Sequence, residues 1–143
     1  LIVINNLLSN KIKLEKVYSD IPMIECYPGK LNQVFLNIIS NAIYAIDKKF
    51  GDEQGGILKI STSNNDKSIF VKIEDNGIGM DEKELQKAFE IFYTTKDKGS
   101  GLGLPISRQI IERNNATISI HSRKNEYTKI VLRFQLKERV KET

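Results

Sequence analysis

The chain has 143 residues and a mass of 16.3 kDa, enough for one domain that buries roughly two-thirds of the surface its unfolded form exposes. Hydrophobic residues at 40% and charged residues at 28% exclude wholesale disorder. The net charge of +4 sits at one end, because residues 123–143 carry seven Lys/Arg and three Glu while residues 1–122 carry fifteen of each sign. A neutral body lacks the basic, aromatic-interleaved stripe of a nucleic-acid-binding surface, so no nucleic acid is expected as partner. The single cysteine, Cys26, excludes an internal disulfide, and the single histidine, His121, leaves too few ligands for ordinary zinc chemistry. No apolar run is long enough to span a membrane and no signal-peptide pattern opens the chain. The first residue is Leu1 rather than Met, inside the apolar stretch Leu1-Ile2-Val3-Ile4. The chain therefore reads as a piece of a longer protein: residues 1–10 as the end of an upstream helix or linker, 11–137 as the domain, and 138–143 as a tail.

Lys11 to Tyr18 alternates loosely and reads as a strand, Met23 to Tyr27 as a short second one, and Pro28-Gly29 as a turn. From Lys30 to Lys49, the residues Leu31, Val34, Phe35, Ile38, Ile39, Ala42, Ile43 and Ile46 recur at helical spacing. A loop over 50–56 leads to Ile57–Ser63 and Ser68–Asp75, a hairpin around Asn64-Asn65-Asp66-Lys67. Asp81 with Glu84 three residues on makes a capping-box start to a helix. Residues 93–101 are polar and without periodicity, and a second amphipathic helix runs from about Leu104 to Asn114 with Pro105 in its first turn. Ala116–Ser122 and Tyr127–Leu136 close the chain as another hairpin. Strands at both ends with helices between predict an α+β fold: a mainly antiparallel sheet with helices on one face.

Three polar constellations interrupt this pattern. Asn37 and Asn41 are four residues apart on the long helix, so both amides leave one face, about 40° apart around the axis. Two mid-helix asparagines carry a propensity cost of about 1 kcal/mol, and their carbonyl oxygens suit magnesium, although a tolerated solvated face is the simpler reading of the pair alone. Glu74-Asp75-Asn76-Gly77-Ile78-Gly79-Met80 follows an apolar strand directly. Its glycines allow positive φ and close backbone approach to a flat ligand, and Asp75 offers a carboxylate to an exocyclic amine; a turn built by Asp-Asn-Gly is the alternative. Gly99-Ser100-Gly101-Leu102-Gly103-Leu104-Pro105 enters a helix behind Lys96 and Lys98. Consecutive exposed N–H groups, the helix N-terminus and two cations form a cradle for a polyphosphate, against the alternative of a flexible linker. The polar residues ahead of these glycines match neither the dinucleotide fingerprint nor the P-loop.

Taken in order, these segments resemble the catalytic ATP-binding domain of sensor histidine kinases, within the GHKL (Bergerat-fold) ATPase superfamily. Residues 31–42 resemble its N box, 75–80 its G1 box, 89–96 its F box and 99–104 its G2 box. The resemblance implies a two-layer α/β sandwich and a site for ATP and Mg2+. In that site Asp75 accepts from adenine N6, Gly77 and Gly79 with Ile78 and Met80 open the pocket floor, and Asn41 with Asn37 holds the metal. Tyr93 to Gly101 is implied to be the ATP lid. Phe89 and Phe92 anchor it, Thr94, Thr95, Lys96 and Lys98 reach the nucleotide, Lys96 serves catalysis beside Asn37 and Asn41, and Gly99, Ser100, Gly101, Leu102, Gly103 and Leu104 line the phosphates. Core packing is the alternative for the two phenylalanines.

Asn37 stands where hydrolytic members of the superfamily carry a Glu, which favours phosphoryl transfer over hydrolysis. The alternatives are a degenerate nucleotide-binding module, a hydrolytic GHKL ATPase or a protein serine kinase. Three departures stand out. Tyr44 replaces a basic residue, so either Lys48 one turn on substitutes or a phosphate contact is missing; Asn115-Ala116 replaces Gly-Gly; and Asn125-Glu126-Tyr127-Thr128 replaces Gly-x-Gly-Thr, which suggests a different hairpin turn that leaves the ATP site untouched. His121 lies in a strand and is followed by Ser122-Arg123, unlike an acceptor histidine. The implied partners are a histidine-bearing dimerisation domain of the same full-length protein and a response regulator downstream. The piece itself is then expected to be a cytoplasmic monomer, and its parent a homodimer with any membrane anchor upstream.

Overall fold

The structure, a computed structural model, describes residues 11–20, 28–90 and 103–136. The elements are β1 (Ile12–Val17), α1 (Pro28–Phe50), β2 (Gly56–Asn64), β3 (Ser68–Asp75), α2 (Glu82–Lys87), α3 (Gly103–Arg113), β4 (Ala116–Arg123) and β5 (Tyr127–Gln135). The expected strand over 23–27 lies outside the described residues.

α1 forms because Leu31, Val34, Ile38, Ile39, Ala42 and Ile46 fall on one stripe, and all six are buried. Pro28 and Gly29 are not a turn: they are the first residues of α1. Proline suits that place because its missing N–H would have no partner in a first turn anyway. The helix ends at Gly51, which takes φ +57° and donates its N–H to the Asp47 carbonyl at 2.8 Å, a left-handed cap that an L side chain adopts only with strain. The β2–β3 turn is held by Asn65, whose Oδ1 accepts from the N–H groups of Lys67 (2.9 Å) and Ser68 (2.8 Å). The capping box of α2 is present, with Asp81 Oδ1 accepting from Glu84 N at 2.8 Å. Asn115 closes α3 at φ +56°, so asparagine does supply the left-handed turn.

The strands pair in the order β1-β2-β3-β5-β4. β1 and β2 are parallel and the other pairs antiparallel, so the sheet is mixed and mainly antiparallel. Parallel pairing needs a crossover, and α1 supplies it. The register brings Leu58, Ile60, Ile69, Ile73, Ile130, Leu132, Phe134 and Ala116 to one face, where α1 and α3 cover them. Burying each large aliphatic side chain there contributes about 1.5–3 kcal/mol. The opposite face carries the row Lys59, Glu74, Lys129 and His121 and is not covered by a helix of the described residues. This is a two-layer α+β sandwich with helices on one face.

Candidate functional site

The apolar, helix-covered face ends in a polar corner. Asp75 is the last residue of β3, and its register partners on that face are Leu58 of β2 and Thr128 of β5. Its side chain is buried, at 4% exposure, yet it is a carboxylate. Asp75 Oδ1 accepts from Gly77 N at 2.9 Å; among the described residues no other group donates to the carboxylate. Burial pushes the carboxyl up to about 7, against the pull of the Gly77 N–H; Glu74 adds to the rise and Lys49 opposes it. A buried carboxylate with an unused oxygen is costly unless a ligand donates to it.

The loop that follows is fixed by its own chain. Asn76 clips it to the start of β2: its Oδ1 accepts from Ile57 N at 2.7 Å and its Nδ2 donates to the Gly55 carbonyl at 2.9 Å. A Cβ on Gly77 would lie 2.4 Å from the Ala45 carbonyl carbon, and Ile78 N donates to the Ala45 oxygen at 3.1 Å. Gly79 has φ +63°, and a Cβ there would lie 2.1 Å from the Arg123 oxygen. Both glycines thus admit α1 and the β4–β5 turn, a packing reason that the sequence reading, with its approach to a flat ligand, did not contain. The β4–β5 turn, expected from its divergent sequence to leave the ATP site untouched, is hydrogen-bonded to this loop. Asn125 N donates to the Ile78 carbonyl at 2.6 Å, Lys49 Nζ donates to the Asn125 carbonyl at 2.7 Å, and Met80 N donates to Ser122 Oγ at 2.8 Å. The partners of Ser122, Asn125 and Asn76 had no signal in the sequence, because the pairings span up to 76 positions.

On α1, Asn37 and Asn41 share a half-buried face. Asn37 Nδ2 donates to Ser107 Oγ of α3 at 3.4 Å, and Ser107 is fully buried. That long bond leaves the Asn37 carbonyl oxygen directed away from the serine. One turn on, Lys48 Nζ stands 5.6 Å from the Tyr44 ring centroid, a cation–π contact. Gly103 opens α3, and a Cβ there would meet nothing within 4 Å. Leu104 packs against the core, and Phe89, half-buried, has the Arg108 guanidinium 5.1 Å from its ring centroid. Phe92, Thr94, Thr95, Lys96, Lys98, Gly99, Ser100, Gly101 and Leu102 lie outside the described residues. His121 is exposed and on the opposite face of the sheet from Asp75.

The family described as histidine kinase-, DNA gyrase B- and HSP90-like ATPase matches residues 26–138. The chain belongs to this family. Among curated proteins it is similar to sporulation kinase E of Bacillus subtilis, 37% identical over 86% of this chain and 16% of that protein. Sporulation kinase C of the same organism is 38% identical over 82% of this chain and 26% of its own length. Sensor histidine kinase ZraS of Escherichia coli K12 is 32% identical over 82% of this chain and 24% of its own length. The chain thus spans about a quarter or less of these relatives. The catalytic domain of histidine kinase ThkA, solved nucleotide-free, superposes with a TM-score of 0.73 at 27% identity, covering 87% of this chain and 80% of that one. Mycobacterial sensor histidine kinase MprB superposes equally well, at 0.73, with 22% identity and coverage of 87% and 82%, a likeness of fold.

The residues present fit the GHKL family's ligand. The unused Asp75 oxygen suits an amine donor. Among the described residues no cluster of three or more His, Cys, Asp or Glu could hold a metal, but the amide oxygens of Asn37 and Asn41 are hard donors of the kind magnesium accepts beside phosphate oxygens and water. No helix among the described residues is long and apolar enough to cross a membrane.

Proposed function

We propose that this GHKL domain binds Mg-ATP and donates the γ-phosphoryl group to a histidine on a separate dimerisation domain of the same full-length protein, for onward transfer to a response regulator. The observation that carries the reading is the buried Asp75 carboxylate with one oxygen left for a ligand. In this reading Asp75 and Thr128 hold the base. Asn41, with Asn37, holds magnesium; Lys48 offers a phosphate contact in place of the basic residue that Tyr44 replaces; Phe92 anchors the lid, and Thr94, Thr95, Lys96, Lys98 and residues 99–104 reach the nucleotide. Magnesium, when bound, neutralises phosphate charge as it redistributes. The bond from the γ-phosphorus to the β-phosphate oxygen breaks, a bond to an imidazole nitrogen of the acceptor forms, and ADP leaves. Asn37 is an amide and cannot take a proton from water, which favours transfer over hydrolysis. His121 lies on the opposite face of the sheet from Asp75, which supports reading it as outside the transfer chemistry. The domain works in the cytoplasm, as a monomer by itself and within a homodimeric parent.

Calorimetric titration with a non-hydrolysable ATP analogue, with and without magnesium, tests the binding half. Magnesium-dependent binding that Asp75→Asn loses is expected, and absence of binding at millimolar nucleotide would overturn it. Transfer of labelled phosphate from ATP to a separately supplied histidine-bearing domain tests the other half; steady hydrolysis without transfer would point to an ATPase.

A further inference from the structure

The hydroxyl of Ser122 has one proton and two lone pairs, and the structure uses all three. Its proton goes to the Tyr127 carbonyl at 2.7 Å, an oxygen that can only accept. Its lone pairs accept from Met80 N at 2.8 Å and from the hydroxyl of Thr128, 2.8 Å away. The Ser122–Thr128 contact could by itself run either way, but with the serine proton committed, the threonine must be the donor. Thr128 Oγ1 then has no proton left for a ligand and can only accept. Thr128 stands directly across the sheet from Asp75, on the same face, where side chains of paired strands stand about 5 Å apart.

We infer that Ser122 is a positioning residue that fixes Thr128 as an acceptor beside the Asp75 carboxylate, so that the corner selects a base with an exocyclic amine over one with an oxo group at the same place. The inference rests on the nucleotide reading of the Asp75 corner. A 6-amino purine has two N–H groups for two acceptors. Once the Asp75 carboxyl is ionised, above about pH 8, a 6-oxo purine brings an oxygen towards two oxygens, neither carrying the proton it needs, and an acceptor left without a donor is penalised. Without Ser122 the Thr128 hydroxyl turns freely and can donate to the oxo group, so the discrimination weakens.

At about pH 8.5, where Asp75 is ionised, the 143-residue chain is titrated with ADP and with inosine diphosphate, as wild type, Ser122→Ala and Ser122→Thr. The expected result is a preference for ADP that falls about three- to tenfold in Ser122→Ala, the worth of one hydrogen bond, and is kept in Ser122→Thr, which retains the hydroxyl. A merely structural serine would weaken both nucleotides alike, and an unchanged ratio overturns the inference. Should Ser122→Ala fail to fold by circular dichroism, Thr128→Val serves instead. It removes the second acceptor at constant shape and is expected to narrow the same ratio; no narrowing overturns the inference. Asp75→Asn in the same titration separates the two levels. If wild type binds neither nucleotide, or Asp75→Asn leaves ADP binding intact, the nucleotide reading falls and the inference with it. If Asp75→Asn weakens ADP binding and Ser122→Ala leaves the ratio alone, only the inference falls.

Discussion

The two ends of the candidate site are built on opposite plans. At the Asp75 end the loop is packed onto α1 and the β4–β5 turn so closely that Cβ atoms on Gly77 and Gly79 would approach backbone at 2.4 and 2.1 Å. At the other end, among the described residues, a Cβ on Gly103 would meet nothing within 4 Å, and Asn37 and Asn41 are half-buried. The first end is preorganised, and ligand binding there costs little ordering. The second is less closely packed among the described residues.

Glycine substitutions test this difference most severely. Gly79→Ala is expected to destabilise by about 3 kcal/mol or more, from a left-handed φ and a collision with backbone that cannot rotate away. Gly103→Ala should be neutral or stabilising by about 0.5–1 kcal/mol. Urea unfolding of both variants settles it; similar losses in both would erase the comparison.

The next effect is electrostatic. Because burial raises the Asp75 carboxyl from 3.8 to about 7, the folded chain holds that proton more tightly than the unfolded chain does. The stability it contributes is complete below about pH 4 and is lost as pH rises through 7, by an amount on the order of 4 kcal/mol. Asp75→Asn should remove that slope, gain on wild type at pH 8, and bind adenine nucleotide roughly ten- to a hundredfold more weakly. Unfolding free energies from pH 4 to 8, with one titration calorimetry run, check all three. At the open end, Asn41→Ala should abolish the magnesium dependence of nucleotide binding while changing stability by less than about 0.5 kcal/mol, which calorimetry and melting together measure. His121→Gln should change neither stability nor phosphate transfer to a supplied acceptor, and a loss of transfer would bring the far face of the sheet into the chemistry.

Much of the fold was legible because it rests on local signals. The stripe on α1 and the capping box at Asp81 each lie within one element, and the β2–β3 turn lies within one hairpin. Pro28-Gly29 misled because the same dipeptide suits a turn and a helical first turn. At the site, motif order placed Asp75, Asn37 and Asn41 on the correct elements. What sequence could not supply were the long-range partners. That Gly79 accommodates Arg123, that Lys49 holds Asn125, and that Ser122 receives the N–H of Met80 follow from β5 lying between β3 and β4.

That strand order also has a consequence during synthesis. β3 finds its second neighbour in β5, so the edge from Ser68 to Asp75 stays unpaired until roughly sixty further residues have left the ribosome. At about 5–20 residues per second this lasts on the order of 3–12 s, during which an apolar strand edge is open to pairing with another chain. Glu74 and Lys72 on its solvent-facing side are the charges that guard it in that interval.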